Sequence, residues 1–387
     1  MRVLSFIVLA QFLCTSVWFA GNGVAPDIVA ALHLRPDFLA QLTSSVQFGF
    51  IAGTLVFALL NIADRFRPSR VFCCCSLLGA LANTVLILSA SPTVLIWSRL
   101  LTGFFLAGIY PVGMKIAADY FPRGLGKSLG FLVGALVAGT AFPQLLRAFP
   151  DMISWQQTVV LTSACSVTGG AIMLLIVGDG PYRQAAQRLQ PTAMFSAFRQ
   201  ASFRSAAFGY FGHMWELYAF WAFVPALLRW YAQSRHVPLN VPLVSFCVIA
   251  LGAVSCGVSG LLSLRLSAKR IAVAALAGSG GCCFLSPIVF AHASPALLVC
   301  FLFIWGMVVV ADSPMFSSMV AGAAPAPIKG TALTIVTSIG FAITIVSIQL
   351  IQTLAAHSTI ERHFWVLGIG PAFGLLALLR TRHARGI

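Results

Sequence analysis

Glu216 interrupts an apolar run over residues 205–229, with His213 three positions before it and Phe220 four after. On a helix these residues share one face. About ten residues, or roughly 15 Å of helix, separate the carboxyl from the nearer end of the run. A carboxyl at that depth loses its hydration, and its exchange of protons depends on which side admits water. A proton-coupling group requires this; a structural carboxyl paired with a base on another helix fits the same pattern. Arg99 lies in a second run, 94–119, with Gly103 and Tyr110 on roughly the same face. Its fork of donors matches carboxylates and similar anions, and the alternatives are an internal salt bridge or a snorkelling side chain.

Asp312 shares a face with Trp305, and Asp312-Ser313-Pro314 predicts a local helix break toward one third of its run. That position suits a gate or a solute contact. Lys115 and Asp119, spaced i, i+4, read first as an intrahelical pair. Gln11, Asn22, Gln47, Asn83 and Gln144 are amides that either line a cavity or join helices by hydrogen bonds. Trp215, Tyr218, Phe220, Trp221 and Phe223 present rings on several faces of one helix, for packing or for the route of a partly apolar solute.

These residues must be positioned by elements that cross a membrane. Of 387 residues 59% are hydrophobic and 9% charged, whereas a soluble domain carries charge on about a quarter of its residues. The apolar residues form twelve continuous runs, near 4–25, 38–62, 70–90, 94–119, 127–149, 155–178, 205–229, 241–264, 270–291, 294–319, 328–354 and 362–380. Runs of this length are transmembrane helices, and their lack of alternation excludes a barrel. The net charge of +15 could suggest nucleic acid, but its placement describes topology. With a cytoplasmic N-terminus, 17 Lys and Arg fall on the cytoplasmic side and five on the other, with Arg99 and Lys115 inside runs. The positive-inside rule then puts both termini in the cytoplasm. Arg2 and the first run resemble a secretory signal, but a convincing cleavage site is lacking. The ten cysteines show no CxxC or Cys/His spacing and read as small packing residues.

The chain divides into a bundle over 1–178, a cytoplasmic linker over 179–204 and a second bundle over 205–387. An offset of 199 places Pro26 on Pro225, Gly53 on Gly252 and Arg70 on Lys269. An offset of 203 places Gly103 on Gly306, Pro111 on Pro314 and Pro122 on Pro325. This is a parallel repeat of six plus six spans. The loop Ala63-Asp64-Arg65-Phe66-Arg67-Pro68-Ser69-Arg70 resembles the signature loop of the major facilitator superfamily. Arg99 with Gly103 is similar to that family's Arg-x-x-x-Gly signature, and Gly108-Ile109-Tyr110-Pro111 and Ala118 to Gly124 look like the end of its fourth span. Leu60 stands where the family has Gly, Arg67 and Pro68 replace a Gly and a basic residue, and Ser263 replaces the acid of the repeated loop. The fifth span lacks the Gly-Pro pair of many drug exporters in the family.

The resemblance implies an all-α membrane fold of twelve helices in two pseudo-symmetric bundles. It further implies no enzyme activity and no cofactor or metal. The expected role is alternating-access transport of a small polar or anionic solute across the inner membrane, by a monomer embedded in the lipid bilayer and coupled to protons. The solute and proton pathway would use Glu216, His213, Arg99, Asp312, Tyr110, Asn22, Trp215 and Gln47. By the same resemblance Asp64, Arg65, Arg70 and Asp119 would hold the cytoplasmic helix ends together as a gate. Export of amphipathic compounds is the rival within transport. A membrane-embedded enzyme or sensor is the rival outside it, though no metal-ligand or Ser/His cluster appears; an ion channel is disfavoured by the duplicated halves.

Overall fold

The computed structural model describes residues 2–35, 37–121, 125–182, 197–325 and 329–380, and among them no strand occurs. Most of the expected linker and the side chain of Asp64 lie outside the described residues. The first six rods are α1 (Arg2–Ala31), α2 (Phe38–Leu59), α3 (Pro68–Leu88), α4 (Pro92–Tyr120), α5 (Gly126–Arg147) and α6 (Trp155–Val177). After α7 (Ala201–Arg235) come α8 (Val241–Leu262), α9 (Ala268–His292), α10 (Pro295–Ala323), α11 (Gly330–His357) and α12 (Ile360–Arg380). Each is long enough to cross about 30 Å of hydrocarbon. The twelve runs read from the sequence all form helices, with ends displaced by a few residues.

The helix ends follow local chemistry. Ser154 and Gln157 form a reciprocal capping box at the start of α6, and Ser267, Ser294 and Asn240 cap α9, α10 and α8 through their side chains. Pro68, Pro92 and Pro295 stand at the first helical position, where a missing N–H costs nothing. Beyond α2 the chain turns through Asn61 at φ 50°, a left-handed conformation that Asn tolerates.

The duplication is visible in how helices touch. A Cβ on Gly103 of α4 would lie 2.0 Å from the carbonyl oxygen of Val46 in α2, and one on Gly306 of α10 would lie 2.0 Å from that of Val248 in α8. Both glycines therefore let paired backbones approach to a distance closed to any other residue. The same rods are interrupted at matching places. α4 breaks at Ala107–Ile109 before Pro111, and α10 breaks at Asp312 before Pro314. α1 also breaks, over Ser16–Phe19.

Across the halves α5 packs on α8 and α2 on α11. At one end Gln349 of α11 donates to Ser44 Oγ (2.8 Å) and to the Ala40 carbonyl (3.3 Å), and Asn240 donates to the Ala148 carbonyl (2.9 Å). Toward the other end Gly130 and Gly260 bring α5 and α8 into backbone contact, while α2 and α11 part around a cleft of about 170 Å³. Thr54, Asn61, Pro111, Thr331 and Thr334 are among its walls.

Candidate functional site

A small cavity of about 30 Å³ lies where the halves meet, room for a single water. Tyr110, Val133 and Leu136 from the first half face Tyr210, Leu217, Tyr218, Trp221 and Phe341 from the second. An aromatic layer closes around it: Phe50 and Phe341 lie 4.4 Å apart, Trp18 and Phe50 4.9 Å, and Tyr218 and Phe341 5.2 Å. Ring contacts thus join α1 and α2 to α7 and α11. The wall carries no formal charge, and the buried Trp221 indole N–H has no hydrogen-bond partner among the described residues.

The charged groups stand one layer behind. Glu216 is fully buried and points away from the cavity, into the second bundle. Its Oε1 accepts from Trp305 Nε1 at 2.6 Å and from the Cys283 thiol at 3.2 Å, and its Oε2 accepts from Ser279 Oγ at 2.8 Å. Trp305 is in turn held by a stack on Phe220 at 4.7 Å and by edge contacts with Phe301 and Phe364. All three donors are neutral, and no Lys or Arg among the described residues pairs with this carboxyl. One turn earlier on α7, His213 Nδ1 lies 2.8 Å from Asp312 Oδ1, both side chains being about 1% exposed. Tyr210 and Phe316 flank the imidazole at 6.0 and 5.8 Å. This contact therefore ties α7 to the break in α10.

The first bundle holds a charge of opposite sign at the matching junction. Arg99, fully buried, donates to Asn83 Oδ1 (3.1 Å), to the Val17 carbonyl (3.2 Å) and to the Trp18 carbonyl. These carbonyls belong to the break in α1, and no carboxylate pairs with Arg99 among the described residues. A Cβ on Gly21 would lie 2.8 Å from Arg99 Nε, so the glycine makes room for the guanidinium. The offset of 199 puts Val17 on Glu216. One junction joins α1, α3 and α4; its counterpart joins α7, α9 and α10.

The remaining expected residues separate into groups. Tyr110 lines the cavity and meets Trp18 edge to face at 6.3 Å. Gln47 accepts from the Trp18 indole at 3.4 Å, and Asn22 donates to Thr43 at 2.7 Å; Nε2 of Gln47 and Oδ1 of Asn22 have no partner among the described residues. Trp215 instead donates to the Val366 carbonyl at 3.2 Å, fastening α7 to the start of α12. Arg65 and Arg70 are exposed. The acid that reaches the start of α3 is Asp179, accepting from the Ser69 amide at 2.9 Å with Arg67 at 4.0 Å. Asp119 is buried, and its carbonyl accepts from the Tyr182 amide at 3.0 Å.

Sequence reasoning missed Ser279, Cys283, Asp179 and the cavity face of α7. Ser279 and Cys283 are spaced i, i+4 and so share a face, the one signal that could have found them. Cys283 had been read as a packing residue.

The family profile described as Major Facilitator Superfamily matches residues 7–348. The chain belongs to the Major Facilitator Superfamily. It is a multi-pass membrane transporter. It is 23% identical, over 306 residues, to a probable sulfoacetate transporter of Cupriavidus necator, covering 68% of each chain. A second relative, an inner membrane metabolite transport protein of Escherichia coli, is 31% identical over 135 residues, 33% of this chain and 30% of that one. The solved structure of the human organic anion transporter MFSD10 (TETRAN) superposes with a TM-score of 0.72 at 15% identity, covering 97% of this chain and 99% of that one. The likeness shows that this superfamily member has the fold its sequence implied.

Proposed function

We propose that this superfamily member is a proton-coupled carrier of a small anionic or acceptor-rich solute across a bacterial inner membrane, working by alternating access as a monomer. The observation that carries the reading is Glu216: a buried carboxyl held, among the described residues, by the neutral side chains of Ser279, Cys283 and Trp305. A group with no compensating cation changes its net charge when it takes a proton, so the low-dielectric core feels the change. Protonation turns one of the two carboxylate oxygens into a donor, so either the Trp305 indole or the Ser279 hydroxyl loses its charged acceptor, which loosens α7 from α10 or from α9. His213 and Asp312, one turn away, transmit that change to the break in α10 beside the cavity.

The solute site forms around the small cavity between the halves as they part, with Tyr110, Tyr210 and Trp221 as its polar contacts. Arg99 supports it from behind by fixing the α1 break that presents Trp18, and its unpaired charge favours an anion at the centre of the molecule. Asn22 and Gln47, each with one unpartnered atom, extend the polar path. With both termini cytoplasmic, the cleft between α2 and α11 opens inward, and Asp64, Arg65, Arg70 and Asp119 form the gate region beside it. The name of the Cupriavidus necator relative supports a sulfonate or carboxylate solute.

The absence of charge from the cavity wall favours a second reading, transport of amphipathic compounds. A thermal-shift series at two pH values, using sulfoacetate, short dicarboxylates and lipophilic cations, separates the two. Stabilisation by the anions that depends on pH and is lost in Glu216→Gln supports the proton-coupled anion carrier. Stabilisation by the lipophilic cations alone selects the second reading.

A further inference from the structure

An open cavity lies away from the solute site, where the ends of α7 and α9 meet the start of α12. It encloses about 530 Å³ and is lined by Trp230, Ser234, Arg235, Pro287, Phe290, Ala291, Glu361 and Arg362. Its flanks are membrane surface: Phe284, Leu285 and Ile288 of α9 and Trp365, Ile369 and Phe373 of α12 are all large, apolar and exposed. Trp230 and Trp365 lie near the ends of their helices, where indoles commonly mark the boundary between lipid and water. The floor is apolar and the mouth bears charges of both signs.

Both arginines face water, and one carboxylate oxygen is buried. Arg235 donates one hydrogen bond to the Ala291 carbonyl, and a guanidinium has five N–H donors. Arg362 Nε lies 3.7 Å from Glu361 Oε1, with the Arg362 side chain 74% exposed and that of Glu361 14% exposed. Oε1 of Glu361 also accepts from Thr359, whereas Oε2 is buried with no partner among the described residues. An occupant complementary to this groove has an apolar body, an anionic oxygen cluster for the two arginines and a cationic hydrogen-bond donor for Glu361 Oε2.

We propose that the groove is a headgroup site for a phospholipid bearing a primary ammonium, as in phosphatidylethanolamine. Its phosphate lies between Arg235 and Arg362, its ammonium donates to Glu361, and its acyl chains run over Phe290 and the exposed face of α9. A quaternary ammonium of the same charge has no N–H to donate, and a glycerol headgroup brings no cation to the carboxylate. The site rests on the groove's own chemistry and is independent of the solute and of the coupling ion.

The test uses the full chain in nanodiscs, with lipid retention on mild delipidation read by native mass spectrometry. Phosphatidylethanolamine, its mono-, di- and trimethylated forms and phosphatidylglycerol are compared at equal acyl composition. Retention is expected to fall about tenfold across N-methylation, the size of one charge-assisted hydrogen bond. Glu361→Gln should flatten that series, and Arg362→Gln should lower retention of every phospholipid while leaving the methylation preference in place. Equal retention of all methylated forms overturns the proposal, as an apolar groove filled without headgroup recognition. Stronger retention of phosphatidylglycerol than of phosphatidylethanolamine also overturns it, in favour of a plain anion site. The methylation series on the unaltered protein decides the matter even if Glu361→Gln fails to fold.

Discussion

At the scale of residues, the chemistry turns on what surrounds two buried charges. Glu216 is met by a hydroxyl, a thiol and an indole, and Arg99 by an amide and two carbonyls. Neither relies on a counter-ion among the described residues, so each is held by neutral groups whose net worth is about 1 kcal/mol apiece or somewhat more toward a charge. Glu216→Gln keeps the size and one acceptor oxygen, and its amide NH2 can donate to the Ser279 hydroxyl, so we expect thermal unfolding in detergent close to that of the parent protein. Solute counterflow should persist in that variant while accumulation driven by a pH gradient is lost by tenfold or more. Trp305→Phe removes one donor and keeps the stack on Phe220. It should shift the pH dependence of uptake while changing the apparent affinity for solute little, measured as uptake against solute concentration at several pH values. Equal loss at every pH would make Trp305 a packing residue.

Glu216, Arg99 and Asp312 were legible as single charges in apolar runs, because burial of a charge is costly enough to mark itself in any sequence. Their neighbours were not. A one-dimensional pattern gives the face of a helix but not which helix it meets, so Ser279 and Cys283 remained among many small residues. The direction of Glu216 could not be read either. The cavity face of α7 is set by how α7 packs on α10, α11 and α12, and it runs through Tyr210, Met214, Leu217, Tyr218 and Trp221.

At the scale of elements, the function depends on rods that approach closely and break in defined places. Gly103 and Gly306 occupy equivalent positions, each pressed on a partner carbonyl, and no larger side chain fits without moving a helix. Gly103→Ala and Gly306→Ala should each destabilise by about 1–3 kcal/mol, the usual cost of overpacking, read as lowered thermal midpoints. Gly281, with open space around it, serves as the control and should accept alanine without loss. Asp179 acts as a side-chain cap for α3 from beyond α6. Asp179→Ala should cost about 1 kcal/mol, within the range for lost helix caps. The six offset matches, five of them Gly or Pro and one Arg70 on Lys269, make this repeat legible in the sequence. The cap from Asp179 was invisible because it spans 110 positions of sequence between Ser69 and the acid.

At the scale of the whole molecule, the two halves are fastened at one end by Gln349, Ser44 and Asn240 and part at the other around the cleft between α2 and α11. Alternating access requires the fastened end to open. A disulfide between cysteines at positions 44 and 349, with the exposed Cys74 and Cys300 replaced by serine, should stop transport, and reduction should restore it. Transport that continues through the closed disulfide would exclude opening at that end. The twelve-helix architecture was open to sequence reasoning because lipid permits few solutions. The solute is far less legible, since the cavity proposed for it is built from Tyr, Trp and Phe side chains of the kind that also pack membrane helices.

The central claim is that Glu216 binds the proton that drives transport. Its most direct test is uptake into proteoliposomes of a solute identified by thermal shift, under an imposed pH gradient and in counterflow, for the parent protein and Glu216→Gln. The account predicts gradient-driven accumulation and counterflow in the parent, and counterflow alone in the variant. Gradient-driven accumulation by folded Glu216→Gln at the parent's level would contradict it.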